Sequence, residues 1–240
     1  RFRDLRNKST FIPNGVNLGP AHARRSTNEI VYISRINKRH GNLVVKIIEQ
    51  VLPYLVALYP DVRFKIIGDG RWADAVHRAA DRFNKACKKP AVECVGFKDE
   101  ANQSLADAAL VMGVGRVAAN ALMQGIPVLS INHRRLGSFI SRENYSAMLQ
   151  SNFVDVAGDP PRAEVVLSRL SCFFKDPEKQ RNDAIKVRAL IARDLDQKTI
   201  VSSIESVYRQ MMVEVESAKD QEIMTAFADK RRPPLELSHK

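Results

Sequence analysis

The sequence predicts an α/β fold, a Rossmann-like doubly wound parallel sheet followed by C-terminal helices. Short β-branched runs alternate with longer amphipathic runs from about residue 28 to residue 155, which is the pattern of successive βαβ units. Most of the short runs are near-continuously apolar, as expected for strands that helices cover on both faces. With 240 residues, 45% of them hydrophobic, the chain is long enough to bury a core without disulfides or metal ions.

Five short runs predict the strands of this sheet, and a weaker sixth follows them. They are residues 29–34, 62–67, 92–95, 110–112, 127–131 and, more weakly, 153–156. Helical periodicity predicts connecting helices at residues 43–58, 73–87, 101–106, 116–124 and 142–150. After the turn-forming segment at residues 159–161 the pattern is helical only, over residues 162–174, 178–194 and 198–219, with continuation to 228.

These patterns divide the chain into four parts. Residues 1–9 are predicted as a basic N-terminal lead-in and residues 10–160 as the Rossmann-like domain. Residues 161–228 are predicted as helices that pack on this domain. Residues 229–240 combine charge with two prolines and lack periodicity, so we expect a disordered tail.

The charge balance favours an anionic partner. The chain has 38 Lys and Arg against 27 Asp and Glu, a net charge of +11, which suits nucleic acid, a phosphorylated metabolite or an acidic lipid surface. The basic residues are scattered, Trp72 is the only tryptophan, and no RNP or recognition-helix pattern occurs. Nucleic acid is therefore not the expected partner.

Several other classes are also disfavoured. Three cysteines without a CxxC pair argue against a disulfide framework, and the histidines show no zinc-ligand spacing with them, so we expect a reducing compartment and no metal ion. The longest apolar run, residues 47–58, is interrupted by Glu49 and Pro53 and is shorter than the ~20 residues that cross a bilayer. The sequence contains no GxSxG motif, so it gives no support for a hydrolase.

Two loops at predicted carboxyl ends of strands, where open α/β sheets bind ligands, contain candidate functional residues. Residues 34–41 include Arg35, Lys38 and Arg39, and they form either a phosphate clamp or a solvated basic turn. Residues 68–70, Gly-Asp-Gly, form either a tight turn with positive φ or a ligand contact.

A third loop, residues 113–116, precedes a predicted helix. Gly113 and Gly115 permit close approach of a ligand to the backbone, and free N–H groups at a helix start favour an anion; a simple turn is the alternative. Arg116 is placed against the helix dipole at this start, which suggests an anion beside it.

Taken in order, five segments resemble the C-terminal half of GT-B glycosyltransferases of the family 4, or group 1, type. They are FIPNGVN (11–17), IVYISRINKRHGN (30–42), FKIIGDG (64–70), VECVGF (92–97) and ADAALVMGVGRVAANALMQGIPVLSI (106–131). In that family this half binds the nucleotide-diphosphate sugar, and the preceding half, absent from this chain, binds the acceptor. The resemblance implies a hexosyltransferase that needs no metal and acts in the cytoplasm, and it suggests peripheral association with the inner face of the membrane.

The resemblance also assigns residues. It places Arg35 on the donor diphosphate, with Lys38 as a substitute for the family lysine that His40 replaces. Gly113, Gly115 and Arg116 belong to the loop that faces the phosphates. The nucleoside contacts it implies are Phe97, beside the base, and Asn120, where the family has a glutamate that binds the ribose. In that family catalysis occurs in the cleft between the two halves, and the sequence does not identify the catalytic residues.

Two alternatives remain open at this stage. One is a non-catalytic nucleotide-binding or scaffold protein with a degenerate donor site, which the replacements at His40 and Asn120 favour. The other, weaker, is a related sugar-nucleotide enzyme such as an epimerase, for which the expected acidic and histidine residues are not found.

Overall fold

A six-stranded sheet forms the centre of the protein. The structure is a computed structural model that describes residues 12–17, 28–98 and 105–229, without the side chains of residues 218–220 and 222–229. The strands are β1 (Glu29–Ile33), β2 (Arg63–Ile67), β3 (Val92–Gly96), β4 (Ala108–Gly113), β5 (Val128–Ile131) and β6 (Leu136–Phe139). Their order is β3-β2-β1-β4-β5-β6, with β1 to β5 parallel and β6 antiparallel to β5. The predicted doubly wound α/β fold is confirmed.

Helices connect these strands and follow them. They are α1 (Lys38–Lys46), α2 (Leu52–Leu58), α3 (Ala73–Cys87), α4 (Arg116–Met123), α5 (Tyr145–Gln150), α6 (Ala163–Lys175), α7 (Pro177–Leu195) and α8 (Gln197–Asp229). A π-helical turn, Ile47–Val51, joins α1 to α2. It directly precedes Pro53, whose missing N–H interrupts regular helical hydrogen bonding.

Alternate residues of the central strands face two hydrophobic layers. Ile30 and Tyr32 of β1 pack with residues of α1, α2, α3 and α6, whereas Val31 packs with residues of α4 and α7. This alternation follows from the two-residue repeat of a strand, and both sets are buried because helices cover both faces. As a result, α1 and α4 leave neighbouring strands toward opposite faces of the sheet.

The prediction of a weak sixth strand at residues 153–156 is wrong. Residues 153–156 form turn and irregular structure rather than a strand, because Asn152 and Phe153 both have positive φ, 54° and 60°, which an extended chain does not allow. The sixth strand is instead Leu136–Phe139, whose sequence LGSF carries little β-branched character.

Some helix boundaries also differ from the prediction. The loop expected at residues 34–41 ends at Asn37, because the Asn37 side chain accepts hydrogen bonds from the N–H groups of Arg39 and His40 and so caps α1. The helix expected at 142–150 begins at Tyr145. The predicted helix at 101–106 falls largely on residues outside the described ranges, as do the lead-in at 1–9 and residues 230–240 of the tail.

Internal contacts divide the protein into two units. Val16–Gln197 contains the sheet and α1 to α7, and the second unit contains α8 from Lys198 onward together with residues 12–15. Within the first unit, the N–H of Val16 donates to the carbonyl of Leu195 at 2.8 Å, which ties the segment before β1 to the end of α7. The packing of residues 198–228 on the sheet domain stays a prediction.

The helical segment from Lys38 to Leu58 is long and apolar enough to cross a membrane by length and composition. In this structure, however, Leu43, Val44, Ile48 and Leu55 from this segment are buried in the core beside the sheet. Burial in a protein core accounts for its composition without a bilayer.

Two glycines allow the β2–α3 loop to press against the β1–α1 loop. Gly68 has φ of 140°, and a Cβ there would lie 1.9 Å from the carbonyl oxygen of Ser34. Gly70 has φ of 153°, and its Cβ would lie 2.6 Å from the carbonyl oxygen of Ile36. The tight-turn interpretation of this Gly-Asp-Gly segment is therefore confirmed, and the glycines set the distance between the two loops.

Replacing Gly68 by alanine is expected to destabilise the protein far more than replacing Gly96. Both residues have positive φ, but a Cβ at Gly96 meets nothing within 4 Å. Gly96→Ala should therefore cost about 1 kcal/mol for backbone strain alone, whereas Gly68→Ala adds a collision with backbone and should cost about 3 kcal/mol or more. Chemical denaturation of both variants checks this, and equal losses would contradict the close approach of the two loops.

Candidate functional site

The fold creates a crevice at the carboxyl ends of β1 and β4. These strands are parallel neighbours, with Tyr32 opposite Met112 in the register, and their following helices leave toward opposite faces. Open α/β sheets bind ligands at such a switch point. The structure thereby brings the loop of Arg35 and the loop of Gly113 to adjacent positions at one edge of the sheet.

The two helices that begin at this crevice lack acidic residues in their first turns. The first turn of α1 contains Lys38 and Arg39, and α4 begins with Arg116. Three other helices, α3, α6 and α7, each have an acidic residue in the first turn, as the helix dipole favours, whereas α2, α5 and α8 have none. Cations at a positive helix end raise the local potential, so the crevice is suited to an anion.

A pocket of about 420 Å³ opens beside β1, between the β1–α1 and β2–α3 loops. Its lining residues are Arg35, Ile36, Asn37, Lys38, Gly70, Arg71 and Trp72. The side chains of Arg35, Lys38 and Arg71 are exposed, and none forms an ion pair with any residue that the structure describes. The pocket therefore presents three positive charges that form no ion pair with a carboxylate of the described residues.

Trp72 forms the aromatic wall of this pocket. The Nζ of Lys38 lies 5.7 Å from the centre of the Trp72 ring, within range of a cation–π interaction. The ring packs on Gly41, where a Cβ would lie 2.2 Å from Trp72 Cδ1. The sequence interpretation did not select Arg71 or Trp72, although both directly follow the Gly-Asp-Gly segment, and that position was the available signal.

The glycine loop after β4 is not part of this pocket. Gly113 is buried at the end of β4, and a Cβ there would lie 2.9 Å from Val117 Cγ1. Gly115 has φ of 62°, and its N–H donates to the carbonyl of Asn152 at 2.9 Å. The expectation of free amides is thus wrong for Gly115. In the described part of the chain, the first-turn amides at residues 116–118 have no backbone acceptor, and the Arg116 side chain is exposed.

The two residues expected near the nucleoside lie on either side of the crevice. Phe97 follows β3 and is 70% exposed, although it is a large aromatic side chain. The ends of β3 and β1 are separated by two strand spacings, roughly 10 Å. Asn120 lies on α4, half-buried, and its side chain forms no hydrogen bond with a described residue.

No family model and no curated protein matches the sequence. HepE of Anabaena, in complex with UDP, has a TM-score of 0.60 at 17% identity, covering 83% of this chain and 57% of HepE. TarM of S. aureus has a TM-score of 0.62 at 16% identity, covering 85% of this chain and 41% of TarM. The C-terminal domain of LpcC, a glycosyl transferase group 1 family protein from Francisella tularensis, has a TM-score of 0.52 at 16% identity, covering 76% of this chain and 100% of that domain.

The fold is that of a GT-B glycosyltransferase domain. This confirms the fold that the motif order implied. The chain spans about half of HepE and TarM, 57% and 41% of their lengths, but matches the LpcC C-terminal domain from end to end.

In this GT-B domain three side chains form a hydrogen-bonded chain that the sequence interpretation missed. The hydroxyl of Tyr32 lies 2.7 Å from Nδ1 of His40, and Nε2 of His40 lies 3.3 Å from Nδ1 of His133. The two imidazole rings are 5.0 Å apart, edge to face. Tyr32 is on β1, His40 is in the first turn of α1, and His133 follows β5, so the chain links loops on both sides of β4.

The surroundings of the two histidines disfavour their protonated forms. Burial, and then the neighbouring His133, lowers the pKa of His40. Burial, and then the charges of Arg39 and Arg134, lowers the pKa of His133. Burial raises the pKa of Tyr32 far above its ordinary range, which keeps its proton in place. Among the described residues no group of three or more His, Cys, Asp or Glu side chains is close enough to hold a metal ion.

The stability of the GT-B domain is expected to decrease as the pH falls from 7.5 to 5. Because the pKa of each histidine is lower in the folded state, the unfolded state binds more protons in this range. The loss begins as the pH passes the ordinary histidine value of about 6.5 and is complete below the folded-state pKa. Denaturant unfolding across this pH range measures the slope, which His40→Gln should reduce.

The exposed His77 on α3 provides the control. His77→Gln should leave the slope of the free energy of unfolding against pH unchanged. A slope that is the same in His40→Gln as in the original protein would mean that the histidine pair does not control this acid sensitivity.

Proposed function

We propose that this chain is the donor-binding domain of a glycosyltransferase. It binds a nucleotide-diphosphate sugar, and an acceptor-binding half that the matched region does not include completes the site for glycosyl transfer. The observation that carries this proposal is the pocket of Arg35, Lys38 and Arg71 at the carboxyl edge of a GT-B sheet, where these cations have no acidic partner among the described residues.

The diphosphate would lie beside the three cations that line the pocket, Arg35, Lys38 and Arg71. Arg35 offers two parallel donors to a phosphate and Lys38 a compact charge. The open amides at the start of α4 and the side chain of Arg116 lie outside this pocket, at the neighbouring strand end, and would contact the diphosphate from there. Gly113 is itself buried at the neighbouring strand end. The nucleoside would extend toward Phe97, whose exposed ring suits stacking on a base, with Asn120 as a hydrogen-bonding partner for the ribose.

Such a cradle is suited to sugar transfer because negative charge develops on the leaving diphosphate as its bond to the anomeric carbon breaks. Donors that are already oriented toward that oxygen stabilise the transition state more than the ground state. Arg35, Lys38 and the α4 amides supply that charge stabilisation from one side of the cleft. The attacking hydroxyl group would come from the acceptor side.

The similar structures suggest the first ligands to test. HepE has been determined with UDP and with UDP-glucose, and TarM with UDP. We therefore propose a uridine-diphosphate hexose as the donor class, which makes the protein a hexosyltransferase.

Arg35→Ala is expected to weaken the binding of UDP about 10- to 100-fold and the binding of uridine less than twofold. The difference arises because the charge-assisted hydrogen bonds that are lost, about 1.5–3 kcal/mol, go to phosphate oxygens and not to the nucleoside. Trp72 is the only tryptophan and lines the pocket, so its fluorescence reports binding directly.

The matched control removes an arginine elsewhere. Arg169 is exposed on α6, and Arg169→Ala should leave both affinities unchanged. If Arg35→Ala weakens UDP and uridine equally, Arg35 is not at the phosphate site. If neither ligand, nor any other nucleoside diphosphate, binds the original protein, the proposed function is wrong.

Asn120 bears on the second candidate function, a non-catalytic protein with a degenerate donor site. Its half-buried side chain has no hydrogen-bond partner among the described residues, so it lies open to a ligand, but it offers no charge. Asn120→Glu is expected to tighten UDP binding about tenfold, because hydrogen bonds from hydroxyl groups to a carboxylate are roughly twice as strong as those to a neutral amide. Titration calorimetry with UDP measures the change.

The same titration with a phosphate-only ligand supplies the comparison. Pyrophosphate has no ribose, so Asn120→Glu should not tighten its binding. If the original protein does not bind UDP and Asn120→Glu binds it with nanomolar to micromolar affinity, the degenerate donor site is favoured. If Asn120→Glu does not change UDP binding at all, the ribose does not lie next to residue 120.

A further inference from the structure

The hydrogen-bonded chain of Tyr32, His40 and His133 ends in an atom without a partner. Nε2 of His133 is buried and forms no hydrogen bond in the described part of the protein. Each of the other ring nitrogens in the chain already has a partner, at 2.7 Å or 3.3 Å. A buried polar atom left unpaired costs free energy, so this position is suited to a polar group that arrives from outside the chain.

The hydrogen-bonded side chains of Tyr32, His40 and His133 can hold their protons in two arrangements. In one, the Tyr32 hydroxyl donates to His40, His40 donates to His133, and Nε2 of His133 carries a hydrogen that it can donate. In the other, His133 donates to His40, and Nε2 of His133 is an acceptor that can take up a proton. When Nε2 of His133 is protonated in the second arrangement, His133 donates from both ring nitrogens, and His40 donates from Nδ1 to the Tyr32 hydroxyl.

The charges around the pair determine when that proton can bind. The groups that face the histidines are Tyr32 on β1, Arg39 on α1 and Arg134 in the β5–β6 loop, and no carboxylate is among those that shift either pKa. Uncharged histidines are therefore favoured in the empty protein. An anion placed between these loops would reverse the balance, because it attracts both the arginines and the added proton.

The pair also lies at the right place for such an anion. His40 follows the β1–α1 loop that holds Arg35, and His133 follows β5, on the other side of the β4 loop that holds Gly113. The two rings thus extend across the switch point between β1 and β4, next to the β1–α1 loop that also lines the pocket of the proposed function.

We propose that His40 and His133 together form a proton-accepting contact for the diphosphate of the donor, so that binding of a sugar nucleotide takes up a proton from solvent. This inference rests on the proposed function and adds to it a specificity. The histidine pair gains a positive charge only when a negatively charged diphosphate binds, so the site distinguishes a diphosphate from an uncharged ligand. His133 donates from Nε2 to a phosphate oxygen, and His40 positions the His133 ring through its hydrogen bond.

The test uses calorimetric titration of the full chain with UDP-glucose, GDP-mannose and ADP-glucose, whose phosphates do not titrate between pH 6 and pH 8. Repeating the titration in two buffers with different heats of protonation gives the number of protons taken up. We expect uptake of up to one proton with the nucleotide that binds, and a Kd that falls about tenfold from pH 8 to pH 6.

Variants separate this role from a structural one. His133→Asn should abolish the proton uptake and leave binding weak at both pH values. His133→Lys, with a permanent charge, should bind equally well at pH 6 and pH 8 without proton uptake, a result that a merely structural role does not give. His77→Gln should behave like the original protein.

The outcomes test the role of the histidine pair separately from the proposed donor-binding function. A sugar nucleotide that binds without proton uptake and with the same Kd at pH 6 and pH 8 overturns the role of the histidine pair and leaves the donor site intact. Failure of all three sugar nucleotides and of UDP to bind at any pH overturns both.

Discussion

The close approach of the β1–α1 and β2–α3 loops determines the rest of the site. Backbone hydrogen bonds join them, from the N–H of Ile36 to Asp69 at 2.9 Å and from the N–H of Trp72 to Ile36 at 3.1 Å. These bonds can form only because Gly68 and Gly70 place no side chain between the loops. The contact brings three cations around one pocket and seats the indole ring on Gly41, so a rigid backbone feature positions flexible side chains.

The sequence predicted the parts of the fold that depend on local pattern. The first five strands could be identified because parallel strands covered on both faces are near-continuously apolar, and the alternation with helices implied their parallel order. The sixth strand could not, because its four residues include Gly137 and Ser138 and it pairs at the sheet edge. Residues 153–156 have strand-like composition, but the positive φ of Phe153, which tertiary hydrogen bonds hold, cannot be seen in composition.

The candidate site was predictable only in part, for a related reason. Arg35 and Lys38 were identified because they follow a buried strand directly, and strand ends converge at one edge of the sheet. Contacts between distant segments gave no such signal. His40 and His133 are separated by 93 residues, and the amide of Gly115 is occupied by Asn152 from beyond α5. A histidine or a glycine does not reveal by its own identity which remote group it will meet.

The basic first turns of α1 and α4 have a further consequence for the unliganded protein. Lys38, Arg39 and Arg116 repel one another and the positive ends of their own helices, and no acidic residue in those turns offsets the repulsion. Dissolved salt weakens such forces beyond a screening length of ~8 Å at physiological ionic strength. Higher ionic strength therefore has two opposite effects. It reduces the repulsion between the cations of the unliganded domain, which stabilises that state, and it would weaken the attraction between these cations and an anionic ligand.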